Sequence, residues 1–393
     1  MVKNNGKTLF ALSAIFFLSA VFLSTPLQAE TKLGAEIALN SGWVHLDSSV
    51  LKSNDIWNSS AEGKIKIDTA FSSSIKAYLE GRVNVSYIPS VVNPLTNEET
   101  QPYAKTDWSL YKAYMKFRLP FGFTAGNIRI AAGKMPLSWG YGLFYNSGDL
   151  IFGSDPLDSL TSINSSSLSF SSSTLNDFRT MTDWIFTVSV PILKGFQTEF
   201  VVLPPLENAA LYQYGRFGFR TQFNTDLKIL ENIEAGYLAE GDVSTQKAYI
   251  SLDGNLWLNY NINSSVKFSK ENKFEKDDFE LSLALSKIFN IQTDIENHKL
   301  QLRAEGLYKP FTEKLGIFGF ASYQIIEELS ISSTYFFCSL NEENDSFKSN
   351  SHYMSLAIVW TPVKSLDISL EGMLNIVNPQ KLSTVQAGIK YKY

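Results

Sequence analysis

Apolar and polar residues alternate with a period of two along most of this 393-residue chain. In the stretch AYLEGRVNVSY (residues 77–87), Leu79, Val83 and Val85 fall on one face, opposite Glu80 and Arg82. Successive side chains of a β-strand project to opposite faces, so this period predicts strands with one apolar and one polar face. Helical periodicity is nearly absent. The pattern therefore predicts an all-β fold.

The same alternation recurs in about 18 segments, which predicts about 18 strands. Two segments leave the number open. The segment 256–269 is long enough for two strands, and the segment 246–252 is short enough to be none. A count of 16 strands is therefore the alternative.

The N-terminal residues have the plan of a secretory signal peptide. Lys3 and Lys7 precede an apolar run from Leu9 to Leu23, and STPLQA then ends at Ala29. The run is short for a membrane-spanning helix, which needs about 20 residues. We expect cleavage after Ala29, which gives a signal peptide of residues 1–29 and one further domain, residues 30–393. Losing two lysines and no acid shifts the net charge from -5 to -7, which argues against a nucleic-acid binder.

The composition is compatible with a membrane β-barrel. The single cysteine, Cys338, permits no internal disulfide. Aromatic residues make up 13% of the chain, and its mean hydropathy is -0.06. A membrane-spanning strand needs only about 10 residues with every second one apolar, and its mean hydropathy is near zero. The composition thus fits strands that cross a membrane.

The connections between segments alternate between short and long. Short ones include DGN (residues 253–255) and TPVKSLD (residues 361–367), whereas long polar ones include residues 88–107 and 136–182. Bacterial outer-membrane barrels have short turns at the periplasm and longer loops outside. The sequence therefore predicts a transmembrane antiparallel up-and-down β-barrel in a bacterial outer membrane.

The last ten residues, TVQAGIKYKY, form an alternating strand that reaches the final residue. A sheet in hydrocarbon must leave no edge unpaired, so this strand is expected to pair with the first one. The strand resembles the C-terminal signature of outer-membrane β-barrel proteins, which ends in an aromatic residue, usually Phe. The resemblance implies that Tyr391 and Tyr393 form a signal for the barrel assembly machinery.

The densest local motif is GKMPLSWGYGLFYNSGD, residues 133–149. It resembles a G-K/R…W-G-x-G-x-x-F-N…D pattern of porin-like outer-membrane channel families, including alginate-export-type channels. Tyr145, between Phe144 and Asn146, departs from that spacing. We expect residues 136–160 to fold inward and narrow the pore, and the Ser-rich residues 161–182 to return as a flexible arm. A loop packed on the rim is the alternative. The expected constriction residues are Trp139, Gly140, Gly142, Phe144, Asp149 and Asp155.

Charged residues on the polar faces are expected to line the lumen, because a charge facing lipid costs about 2–4 kcal/mol at mid-membrane. Basic residues are in excess, which predicts a preference for anions. Ion pairing within the lumen, without selectivity, is the alternative. The expected pore-lining residues are Glu80, Arg82, Lys112, Lys116, Arg118, Arg129, Arg216, Arg220, Arg303 and Glu305.

These features predict a porin-like channel for passive diffusion of small hydrophilic solutes. The alternative is a surface-exposed barrel that acts as an adhesin or receptor through its outer loops. We expect no enzymatic activity, because the three histidines have no nucleophile arranged with them, and no metal-ligand spacing or cofactor motif is present. The expected partners are outer-membrane lipid, the assembly machinery and small solutes, with a homo-oligomer left open.

Overall fold

The computed structural model describes residues 30–46, 55–88, 90, 101–121, 125–154, 181–205, 215–240, 245–269, 279–292, 297–311, 314–339, 351–377 and 382–393. The predicted signal peptide, residues 1–29, lies outside the described residues. So do Asp155 and residues 156–180 of the long loop, including most of its Ser-rich arm. The part of the chain that is described contains no helix long and apolar enough to cross a membrane.

Eighteen strands make up the fold. In chain order they are β1 Glu30–Leu46, β2 Asp55–Ala70, β3 Ile75–Ile88, β4 Tyr103–Leu119, β5 Ile128–Met135, β6 Asp183–Leu193, β7 Phe196–Leu203, β8 Arg216–Leu227, β9 Leu230–Glu240, β10 Thr245–Asn255, β11 Asn259–Ser269, β12 Phe279–Gln292, β13 Asn297–Lys309, β14 Lys314–Ile326, β15 Leu329–Ser339, β16 Ser351–Val363, β17 Leu366–Asn375 and β18 Leu382–Lys392.

Each strand pairs antiparallel with the next, and β18 pairs with β1 to close the sheet into a barrel. This confirms the predicted all-β up-and-down barrel and its 18 strands. The two ambiguous segments are one strand each, β10 and β11. Short turns such as Lys194–Gly195 and Lys364–Ser365 lie at one end, which we call the turn end. The connection between β5 and β6 starts from the other end, the loop end.

The predicted turn DGN is wrong. Asp253 pairs with Asn261 and Asn255 pairs with Asn259, so the ladder continues through these residues and the turn lies at 256–258. A strong local turn signal was overridden here by pairing with the neighbouring strand. Alternation predicts a strand over residues 62–71, whereas strand β2 begins earlier, at Asp55.

The two faces of the barrel differ as the alternation predicts. Large apolar side chains such as Leu79, Phe219 and Ile389 are exposed on the outer face, whereas charged side chains such as Glu80 and Arg220 face inward. A shift of one residue in register would turn every charge of a strand toward lipid. The lipid solvent therefore fixes the register of each strand.

A β-bulge in β4 changes one predicted face. Glu80 pairs with Lys112 and Gly81 with Leu110, so Tyr111 is the extra residue. The centroid of its ring lies 3.2 Å from the Arg82 guanidinium carbon. Tyr111 therefore faces the lumen, whereas simple alternation assigned it to the apolar face. A bulge places two successive residues opposite one partner residue, and alternation along a single strand does not reveal it.

The seam between β1 and β18 is paired up to Tyr393. Its backbone N–H donates to the Ala35 carbonyl at 2.8 Å, and the Ala35 N–H donates to the Tyr393 carbonyl at 3.1 Å. Ile389 and Tyr391 are exposed on the outer face. The final residues thus complete the hydrogen-bonded wall, while their role as an assembly signal stays a prediction.

Candidate functional site: the lumen and its inner loop

Residues 136–154, which we call the inner loop, leave β5 and fold into the barrel rather than away from it. Trp139, Phe144 and Tyr145 are fully buried, and Asn146 and Asp149 are buried with them. An exposed loop would leave such side chains in water. Burying each large apolar side chain contributes about 1.5–3 kcal/mol, so the aromatic residues favour a docked inner loop.

Internal hydrogen bonds shape the inner loop. The Asn146 side-chain amide donates to the Trp139 carbonyl at 2.9 Å, and its oxygen accepts from the Gly148 N–H at 3.0 Å. The Asp149 carboxylate accepts from the N–H groups of Ile151 and Phe152 at 3.3 and 3.2 Å. These side chains satisfy backbone groups that no strand partner reaches.

Two glycines permit this compact path. Gly140 has a φ of 66°, in the left-handed region that residues with a Cβ rarely adopt. A Cβ on Gly142 would lie 2.2 Å from the Tyr145 carbonyl oxygen. Glycine at both positions therefore follows from backbone geometry.

Glu305 on β13 is the centre of one attachment of the inner loop to the wall. Its carboxylate accepts the N–H groups of Leu143, Phe144 and Tyr145 at 3.0, 2.8 and 2.7 Å. It also forms an ion pair with Arg303 on the same strand. Glu305 is 3% exposed as a residue, and the three backbone donors and the cation bound to its carboxylate compensate for the loss of hydration.

Two further glutamates hold the start of the inner loop. Glu234 on β9 accepts the Gly140 N–H at 2.8 Å, and Glu199 on β7 accepts the indole N–H of Trp139 at 3.2 Å. Arg220 on β8 lies between them, 2.7 Å from Glu199 and 3.3 Å from Glu234. One guanidinium thus balances two buried carboxylates that both bind the loop.

Neutral polar groups complete the attachment. Ser147 N–H donates to the Ser282 hydroxyl at 2.9 Å, and the Asn263 side chain both accepts from the Tyr141 N–H and donates to its carbonyl. The Tyr141 hydroxyl accepts from Gln222 at 2.7 Å. Burial and the nearby Glu234 raise the pKa of the Tyr141 phenol to about 12, so this loop side chain stays neutral at physiological pH.

Apolar contacts extend the inner loop across the lumen. Trp139 packs with Ile185, Leu203, Leu238 and Tyr249, on strands β6, β7, β9 and β10. The other end of the loop reaches a second cluster: Phe144 stacks on Phe318 of β14 with ring centroids 4.5 Å apart, beside residues of β1, β13, β15 and β17. The inner loop therefore crosses the interior from one part of the wall to another.

Most of the basic residues expected in the lumen are ion-paired. Arg216 lies 2.7 Å from Asp183, and the pairs of Arg220 and Arg303 hold the inner loop. Arg82 binds Glu80 at 2.7 Å, and Lys112 lies 3.5 Å from the same carboxylate. These cations are balanced locally by acids.

A second group of expected residues forms a cationic patch near the turn end, on β3 to β5. Lys116 pairs directly with Lys76, and Arg118 pairs directly with Arg129. All four side chains are exposed, and within the described ranges no salt bridge is formed by them. Asp68, on the neighbouring strand, borders the patch. Like charges directly opposite each other destabilise a sheet. Because these four clustered cations form no salt bridge within the described ranges, they make the electrostatic potential of this part of the lumen wall more positive.

Sequence reasoning missed Glu199, Glu234, Asn263 and Ser282 as attachment points of the loop. Each has the inward parity of its strand, so alternation could have placed it in the lumen. Nothing in the local sequence indicates that the partner is a loop near residue 140. Of the expected constriction residues, Asp155 lies outside the described residues.

Other clusters offer little chemistry. His45 bonds Asp55, His352 bonds Tyr335, and His298 stacks on Tyr323, all at separate places on the barrel. Among the described residues, no group of three or more His, Cys, Asp or Glu side chains is arranged to hold a metal ion.

The closed 18-stranded barrel, its apolar outer face and the loop folded into its polar lumen give the chain the architecture of outer-membrane porin barrels. No protein-family model and no curated protein matches the chain. Several solved structures match the chain. OccK2 (OpdF) of Pseudomonas aeruginosa in complex with glucuronate is 9% identical, with a TM-score of 0.53 over 92% of this chain and 98% of that one.

Two further structures from the same organism have the same coverage, 92% of this chain and 98% of theirs. OccK9 (OpdG) has 9% identity and a TM-score of 0.52, and OpdK with vanillate has 11% identity and a TM-score of 0.50. At such identities the similarity establishes the fold, an outer-membrane porin barrel, and leaves the solute to the residues of this chain.

Proposed function

We propose that the protein is a channel for passive diffusion of small hydrophilic solutes across the outer membrane, narrowed by the inner loop and biased toward anions. One observation carries this proposal: a segment of the β5–β6 connection crosses the lumen and is fixed there by three buried glutamates. A barrel of this size leaves an aqueous interior. A fixed segment inside it restricts the size of what passes.

The anion bias rests on where charge is balanced and where it is not. The wall residues that form hydrogen bonds with the inner loop lie on β7 to β13. Each arginine on these strands has a carboxylate partner. Another part of the wall, β3 to β5, carries the cationic patch of Lys76, Lys116, Arg118 and Arg129. A solute that passes beside the loop meets this wall, and basic residues along a pore favour anions.

Planar-bilayer recordings test both parts. We expect discrete single-channel conductance from the refolded protein and a reversal potential that reports anion preference in a salt gradient. Replacing Lys116, Arg118 and Arg129 together by Gln should lower the anion-to-cation permeability ratio by about twofold or more. The matched control is Lys287→Gln, which removes a cation from the outer face near Trp257.

An unchanged ratio in the triple variant would contradict the anion bias while leaving the channel intact. A protein that inserts but never conducts would contradict the channel itself. The receptor alternative depends on outer loops such as residues 91–100 and 340–350, which lie outside the described residues, and no observation on the described residues favours it.

A further inference from the structure

A cavity of about 490 Å³ lies in the lumen between the inner loop and the turn-end part of β9 to β13. The inner loop contributes residues 140–143 to its lining, and the wall contributes Asp253, Asn259, Asn261, Ser286 and Arg303. Cavities of about 300–1,000 Å³ are typical of small-molecule sites. This one opens on the side of the loop that faces the turn end.

The lining combines hydrogen-bonding groups with aromatic surface. Asn259 and Asn261 bring planar amides, Asp253 a carboxylate and Ser286 a hydroxyl, so donors and acceptors both face the cavity. Tyr141 adds a ring surface, which packs against the C–H groups of a flat or ring-shaped solute.

Neighbouring contacts hold several of these groups in place. The Asn261 amide donates to Ser251 and to the Leu252 carbonyl, both at 3.2 Å, and its oxygen accepts from Asn263. Asp253 accepts from Asn232 at 3.0 Å. A site whose groups are already oriented loses less entropy when it binds a ligand.

The charges of the cavity differ from those of the cationic patch. Its one cation, Arg303, forms an ion pair with the buried Glu305. Two acids, Asp253 and Glu231, line it as well. An anionic solute would therefore meet two carboxylates and a guanidinium that already shares its charge with Glu305. Hydroxyl groups can donate to those carboxylates and accept from the Asn259 amide.

We propose that this cavity is a binding site for a neutral polyhydroxylated ring solute of about monosaccharide size, reached from the turn end of the barrel. The inference deepens the proposed channel function, because it names a solute class and places its site beneath the constriction. The proposed site lies on a part of the wall separate from the cationic patch.

Saturation-transfer NMR on the detergent-folded protein measures binding without requiring conduction. The probes are D-galactose, D-galacturonate and D-galactosamine, which share a ring and differ in charge. We expect D-galactose to bind with a dissociation constant on the order of 1 mM and D-galacturonate at least about tenfold more weakly. Ser286→Phe, which fills the cavity, should weaken D-galactose binding about tenfold or more. Ser330→Phe, on the inner face of β15 outside the cavity, should leave it unchanged.

The site would be overturned by no D-galactose binding, by D-galactose binding that Ser286→Phe leaves intact, or by tighter binding of D-galacturonate than of D-galactose. Binding of D-galactosamine more than about tenfold tighter than D-galactose would also overturn it, because the cavity would then be a site for amines. Conductance is measured on the same preparation. A conducting barrel without D-galactose binding refutes only the site, and a binding barrel without conductance refutes only the channel.

Discussion

Glu305 accepts three consecutive backbone N–H groups of the inner loop and pairs with Arg303. Replacing it with Ala would leave these donors and a partly buried guanidinium without their acceptor. Losing one partner of a buried charged pair costs about 3–5 kcal/mol. The two buried aromatic side chains at this attachment, Phe144 and Tyr145, contribute about 1.5–3 kcal/mol each. The loss is comparable to their sum, so the attachment near Phe144 should weaken while the strand ladder stays intact.

We therefore expect Glu305→Ala to raise mean single-channel conductance and open-channel noise, and Glu305→Gln, which keeps one acceptor oxygen, to have a smaller effect. Bilayer recordings measure both. Glu62→Gln is the matched control, because Glu62 pairs with Lys64 on the wall away from the loop. Wild-type conductance and noise in Glu305→Ala would show that the inner loop does not restrict the pore.

At the scale of an element, strand β18 closes the barrel. Its last residues pair with β1 as Ala38 with Lys390, Ile37 with Tyr391 and Glu36 with Lys392. Deleting residues 390–393 would leave backbone groups of β1 unpaired in hydrocarbon, at a cost of several kcal/mol for each group. We expect the truncated protein to be absent from the outer-membrane fraction. Lys390→Gln with Lys392→Gln, which keeps the backbone pairs, should insert normally.

Membrane fractionation with antibody detection separates these two variants. Normal insertion of the truncated protein would mean that closure at the seam does not depend on its last four residues. Failure of the double Gln variant would assign the effect to side-chain charge, since Lys392 pairs with Asp367 and Lys390 lies 3.8 Å from Glu36.

At the scale of the whole molecule, the backbone ladder is continuous around 18 strands. Such a wall has no unpaired edge, because all of its backbone hydrogen bonds are internal. We therefore expect it to resist SDS until it is heated. We expect unboiled, detergent-refolded protein to migrate faster on a gel than boiled protein, with the shift lost in the 390–393 deletion. A monodisperse, folded monomer in buffer without detergent would contradict the membrane barrel, because the outer face exposes large apolar residues all around.

The sequence by itself determined the all-β fold, a strand count of about 18 and the face that most side chains occupy. These follow from a period of two, which is a local property that a lipid solvent enforces along each strand. Lys116 and Arg118, for example, have the inward parity that alternation assigned to them. Local reasoning failed where neighbouring strands decided the outcome, as at the bulge of Tyr111 and at the DGN segment inside β10.

Only the tertiary structure decided what the inward residues do. The Phe144 N–H and the Glu305 carboxylate are 161 residues apart in sequence and 2.8 Å apart in space. No local pattern links such groups, because closing the barrel brings β13 around to the connection between β5 and β6. Parity therefore assigned Arg220 and Glu305 to the lumen, and their contacts show that both hold the inner loop. The four cations of the cationic patch, in contrast, form no salt bridge within the described part of the chain.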